Sequence, residues 1–176
     1  EYIEQGVPFL RSQNVRENRY DPKGLKFVSE SFHEKLQKSS LEPGDLVTVR
    51  SGSVGVTCVI PGFLNVANCS DLVIVKQPKA ANPKYAAYYM NTITQTKVAA
   101  EKVGVALTHF NTKSMAEMPI PLPSLVEQEK IVELVDMKVS DIEKLDSVIA
   151  EQKKMAEKNK QSILASAFSG RLLNAY

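Results

Sequence analysis

Five side chains ending in carboxamide or guanidinium forks crowd into residues 12–19, SQNVRENR: Gln13, Asn14, Arg16, Asn18 and Arg19. Such forks match the paired donors and acceptors on base edges, guanidinium to guanine and carboxamide to adenine. Arg50 and Ser51 follow at the end of a β-branched run, beside Gly52 and Gly55, where a backbone can approach a phosphate closely. A third segment, THFNTK (108–113), adds Thr108, His109, Asn111 and Lys113. Each of these alone reads as an ordinary solvated loop residue. Three polar-basic loops on one small domain favour a polyanion-binding surface. Residues 1–119 also carry Arg11, Lys23, Lys26, Lys76, Lys79, Lys84, Lys97 and Lys102, while Asp and Glu concentrate further on, although the whole chain of 176 residues has a net charge of only +2.

Residue types that would support catalysis do not assemble. SGSVG supplies two glycines without a following helix, which suits a tight turn between strands better than a phosphate cradle. Asn82-Pro83-Lys84-Tyr85 is similar to the Asn-Pro-Pro-aromatic loop of amino methyltransferases, but Lys84 replaces the second proline, and a helix cap followed by Pro accounts for the dipeptide. His33 and His109 stand alone, and no Ser or Cys is marked as an activated nucleophile. Asp136-Met137-Lys138 and Glu151-Gln152-Lys153 hold half of a nuclease pattern on what reads as a helix's solvated face. Cys58 and Cys69 lack zinc spacing and are expected to be small buried thiols in a reducing cytoplasm. Neither a metal site nor catalysis is expected, and no apolar run reaches the ~18 residues of a membrane span.

The elements that would position these loops form an α+β pattern. Short strands are expected at 7–11, 25–29, 46–50, 56–60, 64–66 and 72–75, with a short helix over Phe32–Lys38. Asn82 caps a helix that opens on Pro83 and carries Tyr85, Tyr88, Tyr89, Met90 and Ile93, and a segment at Thr96–Lys102 continues it. GVALTHF returns as strand or loop before a short helix at Ser114–Met118. The organisation expected is a globular domain over 1–118, a proline-rich extended linker and helix cap over 119–126, and a long coiled-coil-type helix over 127–172.

Pro119, Pro121 and Pro123 hold the linker extended, and Ser124 stands three residues before Glu127, the spacing of a capping box. From there no Pro or Gly interrupts the chain until Gly170. Ile131, Val135, Ile142, Leu145, Ile149, Ala156 and Ile163 fall on one stripe at alternating spacings of four and three. Lys138, Gln152 and Asn159 interrupt that stripe, as residues that set register do. A helix from Glu127 to Leu172 spans ~70 Å at ~1.5 Å per residue and is expected to project and pair through its apolar seam. The periodicity alone calls for a second helix to cover this seam.

GVPFLRSQNV, LEPGDLVTVRSGSVG, MPIPLPSLVEQEKIVELVD and SILASAFSGRL occur in the order found in type I restriction–modification specificity subunits, which this chain resembles over nearly its whole length. The resemblance implies a target-recognition domain that reads one half of a bipartite site in double-stranded DNA, followed by one conserved spacer helix. It implies no chemistry in the chain itself: methyltransferase subunits would dock on it, restriction subunits on those, and S-adenosylmethionine, ATP and Mg would be bound by these partners in a bacterial or archaeal cytoplasm. One domain and one helix make about half a subunit, and a start at Glu1 inside strand-like sequence is expected of a C-terminal fragment or a natural half-subunit. The alternative of another class is a coiled-coil assembly protein whose globular head binds protein.

Overall fold

The computed structural model of the chain describes residues 2–101 and 111–170. The chain divides into two compact units, Glu1–Val132 and Glu133–Tyr176. In the first, β1 (Val7–Leu10) is the hub of a four-stranded sheet with β4 (Lys26–Val28), β5 (Ser40–Leu41) and β8 (Ala67–Cys69), in the order β4-β1-β8-β5. β1 runs antiparallel to β4 and parallel to β8. A second sheet of three strands places β6 (Leu46–Val49) between β7 (Thr57–Val59) and β9 (Leu72–Val75). A two-stranded hairpin of β2 (Val15–Arg16) and β3 (Arg19–Tyr20) completes the strands among the described residues.

Alternation along β6 explains why LVTV is buried at every position. Successive side chains leave opposite faces of a strand, and here both faces are covered. Val47 and Val49 join Leu10, Leu41, Cys58, Ile60 and Ala67 in the principal core, which draws on both larger sheets. Leu46 faces the other way, onto Ala81, Ala86 and Ala87. Those alanines belong to, or lead into, α2 (Pro83–Glu101), the helix that covers the three-stranded sheet. Asn82 accepts from the backbone N–H groups of Lys84 at 2.9 Å and Tyr85 at 3.3 Å, so the expected cap and first-position proline are in place.

Ser29 caps α1 (Glu30–Lys35), which lies two residues earlier than its sequence suggested and is followed by a 3-10 turn over Gln37–Ser39. The strand expected at 64–66 is displaced to β8, because Pro61–Leu64 close a turn in which the Leu64 N–H donates to the Pro61 carbonyl at 3.0 Å. The turn between β6 and β7 needs its glycines: Gly52 and Gly55 have φ of 80° and 83°, in the left-handed region. Cys58 and Cys69 are free and buried, and burial pushes each thiol up to about 12. GVALTHF lies outside the described residues, and the short helix after it, α3, covers Thr112–Ala116.

The proline-rich segment before the last helix packs on the first unit. Ile120 joins the apolar contact between β6 and α2, and the Tyr85 hydroxyl donates to the Pro121 carbonyl at 2.9 Å. Ser124 then opens α4 (Leu125–Phe168) with the expected capping box, in which the Ser124 N–H donates to Glu127 Oε2 at 2.9 Å and the Glu127 N–H to Ser124 Oγ at 3.3 Å. The Ser124 hydroxyl and amide together hold the Glu127 carboxyl below its ordinary pKa.

Gln128, one turn into α4, is fully buried at 0% exposure. Its Oε1 accepts from the Asn82 N–H at 2.7 Å, and its Nε2 donates to the carbonyls of Pro123 at 2.9 Å and Ala80 at 3.3 Å. One carboxamide thus fastens the start of α4, the proline linker and the start of α2, and Val132 is buried a turn further on.

In the second unit, α4 continues as a helix whose apolar residues are open to water. Ile142, Leu145, Ile149 and Ile163 are each more than half exposed, and Ala156 is exposed as well. Ile131 and Val135, on either side of the division between the units, are exposed and half-buried respectively. Among the described residues no helix is long and apolar enough to cross a membrane.

Candidate nucleic-acid interface

The segment 11–26 holds Arg11, Arg16, Arg19, Lys23 and Lys26 against only two acidic residues, Glu17 and Asp21. Its fold sorts the candidate side chains by what they can reach. Gln13 lies in a 3-10 turn over Ser12–Asn14, is exposed, and donates through Nε2 to the Gly24 carbonyl at 3.0 Å. Arg16 and Arg19 face one another across the hairpin. Like charges directly opposite repel, and the Arg16 Nε to Asp21 Oδ2 contact at 3.3 Å relieves part of this. The Asp21 carboxyl is held below its ordinary pKa chiefly by the backbone N–H of Lys23, with Arg16 and Arg19 adding to the effect.

Asn14 must be removed from the candidates. It is 0% exposed, its Oδ1 accepts from the Arg11 N–H at 3.1 Å, and its Nδ2 donates to the carbonyls of Asp21 at 2.9 Å and Lys23 at 3.2 Å. Its carboxamide holds the two ends of the hairpin segment together and has no surface to offer a base. Asn14→Ala leaves those backbone groups unpaired, for an expected loss of about 2–3 kcal/mol read from the urea unfolding midpoint. An unshifted midpoint would show that the buried amide does not hold the segment.

Asn18 occupies the hairpin tip with a left-handed φ of 58° and is exposed. Its N–H donates to the Thr57 carbonyl at 3.0 Å, which fastens the tip to the start of β7. Thr57 pairs in turn with Thr48 of β6, two residues before Arg50 in the chain. Beneath lies a residue that the sequence reading passed over. Asn91 of α2 is 4% exposed; its Oδ1 accepts from the Thr57 N–H at 2.8 Å, and its Nδ2 reaches Asn18 Oδ1 at 2.7 Å. The only signal for it was a polar residue on the sheet-facing side of a helix otherwise packed through Ala86, Ala87 and Met90.

Arg50 and Ser51 are exposed just beyond β6, where the Arg50 N–H donates to the Asp71 carbonyl at 3.4 Å. The same turn contributes Val54 to an apolar cluster with Val73, Met90 and Met115. Met115 belongs to α3, so Asn111 and Lys113, both exposed, are held near that turn. Lys113 lies 3.9 Å from Glu117 in a solvated i,i+4 pair that contributes little. Thr108 and His109 lie outside the described residues. The hairpin tip and the β6–β7 turn are therefore anchored at one end of the three-stranded sheet, and α3 meets that turn through Met115. Among the described residues no cluster of His, Cys, Asp and Glu could hold a metal ion.

A rigid sheet end that carries short basic loops, ahead of a helix with an uncovered apolar face, is the build of a recognition module. The chain belongs to the family of type I restriction modification DNA specificity domains, whose profile matches residues 2–162. It is 25% identical over 174 residues to the type I restriction enzyme StySPI specificity subunit of Salmonella potsdam, covering 96% of this chain and 37% of that one. It is 22% identical over 178 residues to the EcoKI specificity subunit of Escherichia coli K12, covering 94% of this chain and 36% of that one. Among solved structures, a chain from a study of complex assembly and conformational transition in a type I R-M system superposes with a TM-score of 0.75 at 20% identity, over 97% of this chain and 40% of that one. The HsdS subunit from Thermoanaerobacter tengcongensis superposes with a TM-score of 0.64 at 21% identity, over 97% and 39%. Both superpositions support the fold of short strands and a long helix, and this chain spans little more than a third of the length of the curated relatives it matches.

Proposed function

We propose that this chain reads one half of a bipartite sequence in double-stranded DNA, as a non-catalytic part of a type I restriction–modification enzyme. The observation that carries this reading is the basic hairpin fixed to the end of the three-stranded sheet, in a chain whose family is that of DNA specificity domains. Gln13, Asn18, Arg16 and Arg19, with Arg50, Ser51, Asn111, Lys113 and the undescribed Thr108 and His109, face the duplex in this account. Cations supply phosphate contacts, and carboxamides and guanidinium forks supply discrimination. Methyltransferase subunits dock on the chain and recruit the restriction subunits, and these partners carry S-adenosylmethionine, ATP and Mg. The exposed stripe of α4 pairs with a second helix, from another half-subunit or from a second copy related by a two-fold axis, in which case the DNA site is an inverted repeat. A specific pairing of this kind buries on the order of 1,500 Å².

Binding should weaken steeply with salt, because phosphate contacts release counterions from the duplex. The slope of log K against log salt should fall by roughly 1 for each phosphate-contacting cation removed. Arg16→Ala, Arg19→Ala and Arg50→Ala combined should therefore abolish tight binding and flatten the salt dependence. If the triple variant binds DNA as the parent does, the globular unit recognises something else, as a head that binds protein would.

A further inference from the structure

The polar network under the β2–β3 hairpin decides which end of the Asn18 carboxamide is free. Backbone groups fix its orientation, because their donors and acceptors are unambiguous. The Thr57 N–H points at one side-chain atom of Asn91 from 2.8 Å, so that atom is the acceptor, Oδ1. The other atom is then the amide nitrogen, consistent with the carbonyls of Thr57 and Ala87 that it meets at 2.9 Å each. That nitrogen also lies 2.7 Å from the Asn18 side chain, so its two hydrogens are shared among three acceptors, and a second donor nitrogen at that distance would be repelled. Asn18 Oδ1 is thus turned inward, and Asn18 Nδ2 has no partner among the described residues. Turning the Asn18 amide over would set one NH2 group against another.

The backbone adds its own constraint. Asn18 is held in the left-handed region at φ 58°, which Asn and Asp tolerate better than other side chains, while its N–H is committed to the Thr57 carbonyl. A mobile asparagine could offer both ends of its amide and pair bidentately with adenine N6 and N7. This one is oriented before any ligand arrives.

We propose that Asn18, oriented by Asn91, reads a hydrogen-bond acceptor on a base edge through its Nδ2 and selects against an exocyclic amino group at that position. The matching atoms in the major groove are guanine N7 and O6 and thymine O4, and the rejected groups are the N6 amine of adenine and the N4 amine of cytosine. The inference rests on the DNA-reading role proposed above and adds the polarity of one contact. Asn91 is a positioning residue: it touches no base and sets the donor that does.

The test is selection from a randomised duplex pool by the full chain assembled with its methyltransferase subunits, with the bound fraction sequenced. Asn18→Asp keeps the left-handed backbone and the acceptor toward Asn91, but replaces the outward donor with an acceptor. It should lose roughly tenfold to a hundredfold for the parent's base pair at one position and move preference there toward the pair that places an amino group where the parent's acceptor stood. Asn18→Gly keeps the backbone and deletes the reader, so preference at that position should flatten while the rest of the site stays. Asn91→Ala should blur the same position; if it does not fold, the two Asn18 variants carry the test. The inference is overturned if both Asn18 variants keep the parent's preference at every position, or if affinity drops equally for all sequences. A parent complex that enriches no sequence overturns the DNA-reading role itself, and this inference with it.

Discussion

Replacing Ile142 and Leu145 with glutamate should separate the long helix from the second helix proposed to cover its apolar stripe. Both side chains are more than half exposed in the isolated chain, so the substitutions cost the monomer little. In a paired state each would bury an apolar side chain contributing about 1.5–3 kcal/mol, and in a symmetric pair the two positions occur twice. Glutamate removes that contribution and adds the desolvation of a carboxylate with no cation opposite it. Together these exceed what a helix pairing of moderate area can absorb. Sedimentation of the complex before and after the double substitution measures the effect, and an unchanged assembly mass would mean that the stripe through Ile131, Val135, Ile149, Ala156 and Ile163 is not the seam.

The second large effect is expected at Gln128. Gln128→Ala strips the Asn82 N–H and the Ala80 and Pro123 carbonyls of their partner and opens a cavity, for about 3–5 kcal/mol in all. Gln128→Glu separates the hydrogen bonds from the volume. A carboxylate can still accept from Asn82, but its second oxygen then faces two carbonyl oxygens. Burial among acceptors raises the folded-state pKa of that carboxyl above its unfolded value of about 4.3. The sign follows: the variant is most stable below the unfolded pKa, where the protonated acid can donate to a carbonyl, and loses stability as pH rises through the folded pKa. Urea midpoints for parent and variant at pH 4 and pH 8 check this. A deficit of the variant that is the same at both pH values would refute the clamp.

Gln128 also shows where sequence reading stopped short. The stretch from MPIPLPSLVEQEKIVELVD through the long helix to SILASAFSGRL carried the most specific part of the family resemblance, and the local parts of its opening were legible: prolines for an extended approach, Ser124 and Glu127 for a capping box. The role of Gln128 was not, because a glutamine among alternating apolar residues looks like solvated helix surface. Only the folded linker, with Ile120 packed against β6 and α2 and Pro121 bonded to Tyr85, reveals that this face of the first turns is buried. Asn14 was misjudged for the same reason. It sits among exposed polar residues, and nothing local distinguishes a carboxamide that folds inward from its neighbours that do not. Strands 46–50 and 72–75, the cap at Asn82 and the turn at Gly52 and Gly55 were readable because their causes lie within a few residues. The parallel contact of β1 with β8, which joins Phe9 to Asn68, has no such local cause. The anchoring of the hairpin through Asn91 lies 73 residues from Asn18 in sequence and was equally out of reach.

The central claim is that the globular unit distinguishes one DNA sequence from another. Competition binding tests it most directly: the chain, assembled with the methyltransferase subunits proposed to dock on it, holds a labelled duplex taken from the selected pool at physiological salt, and unlabelled competitors displace it. The account predicts that the selected duplex competes at least ~1,000-fold better than a scrambled duplex of equal length and charge, the lower end of the range for specific over non-specific binding. Equal competition by the two duplexes would contradict it.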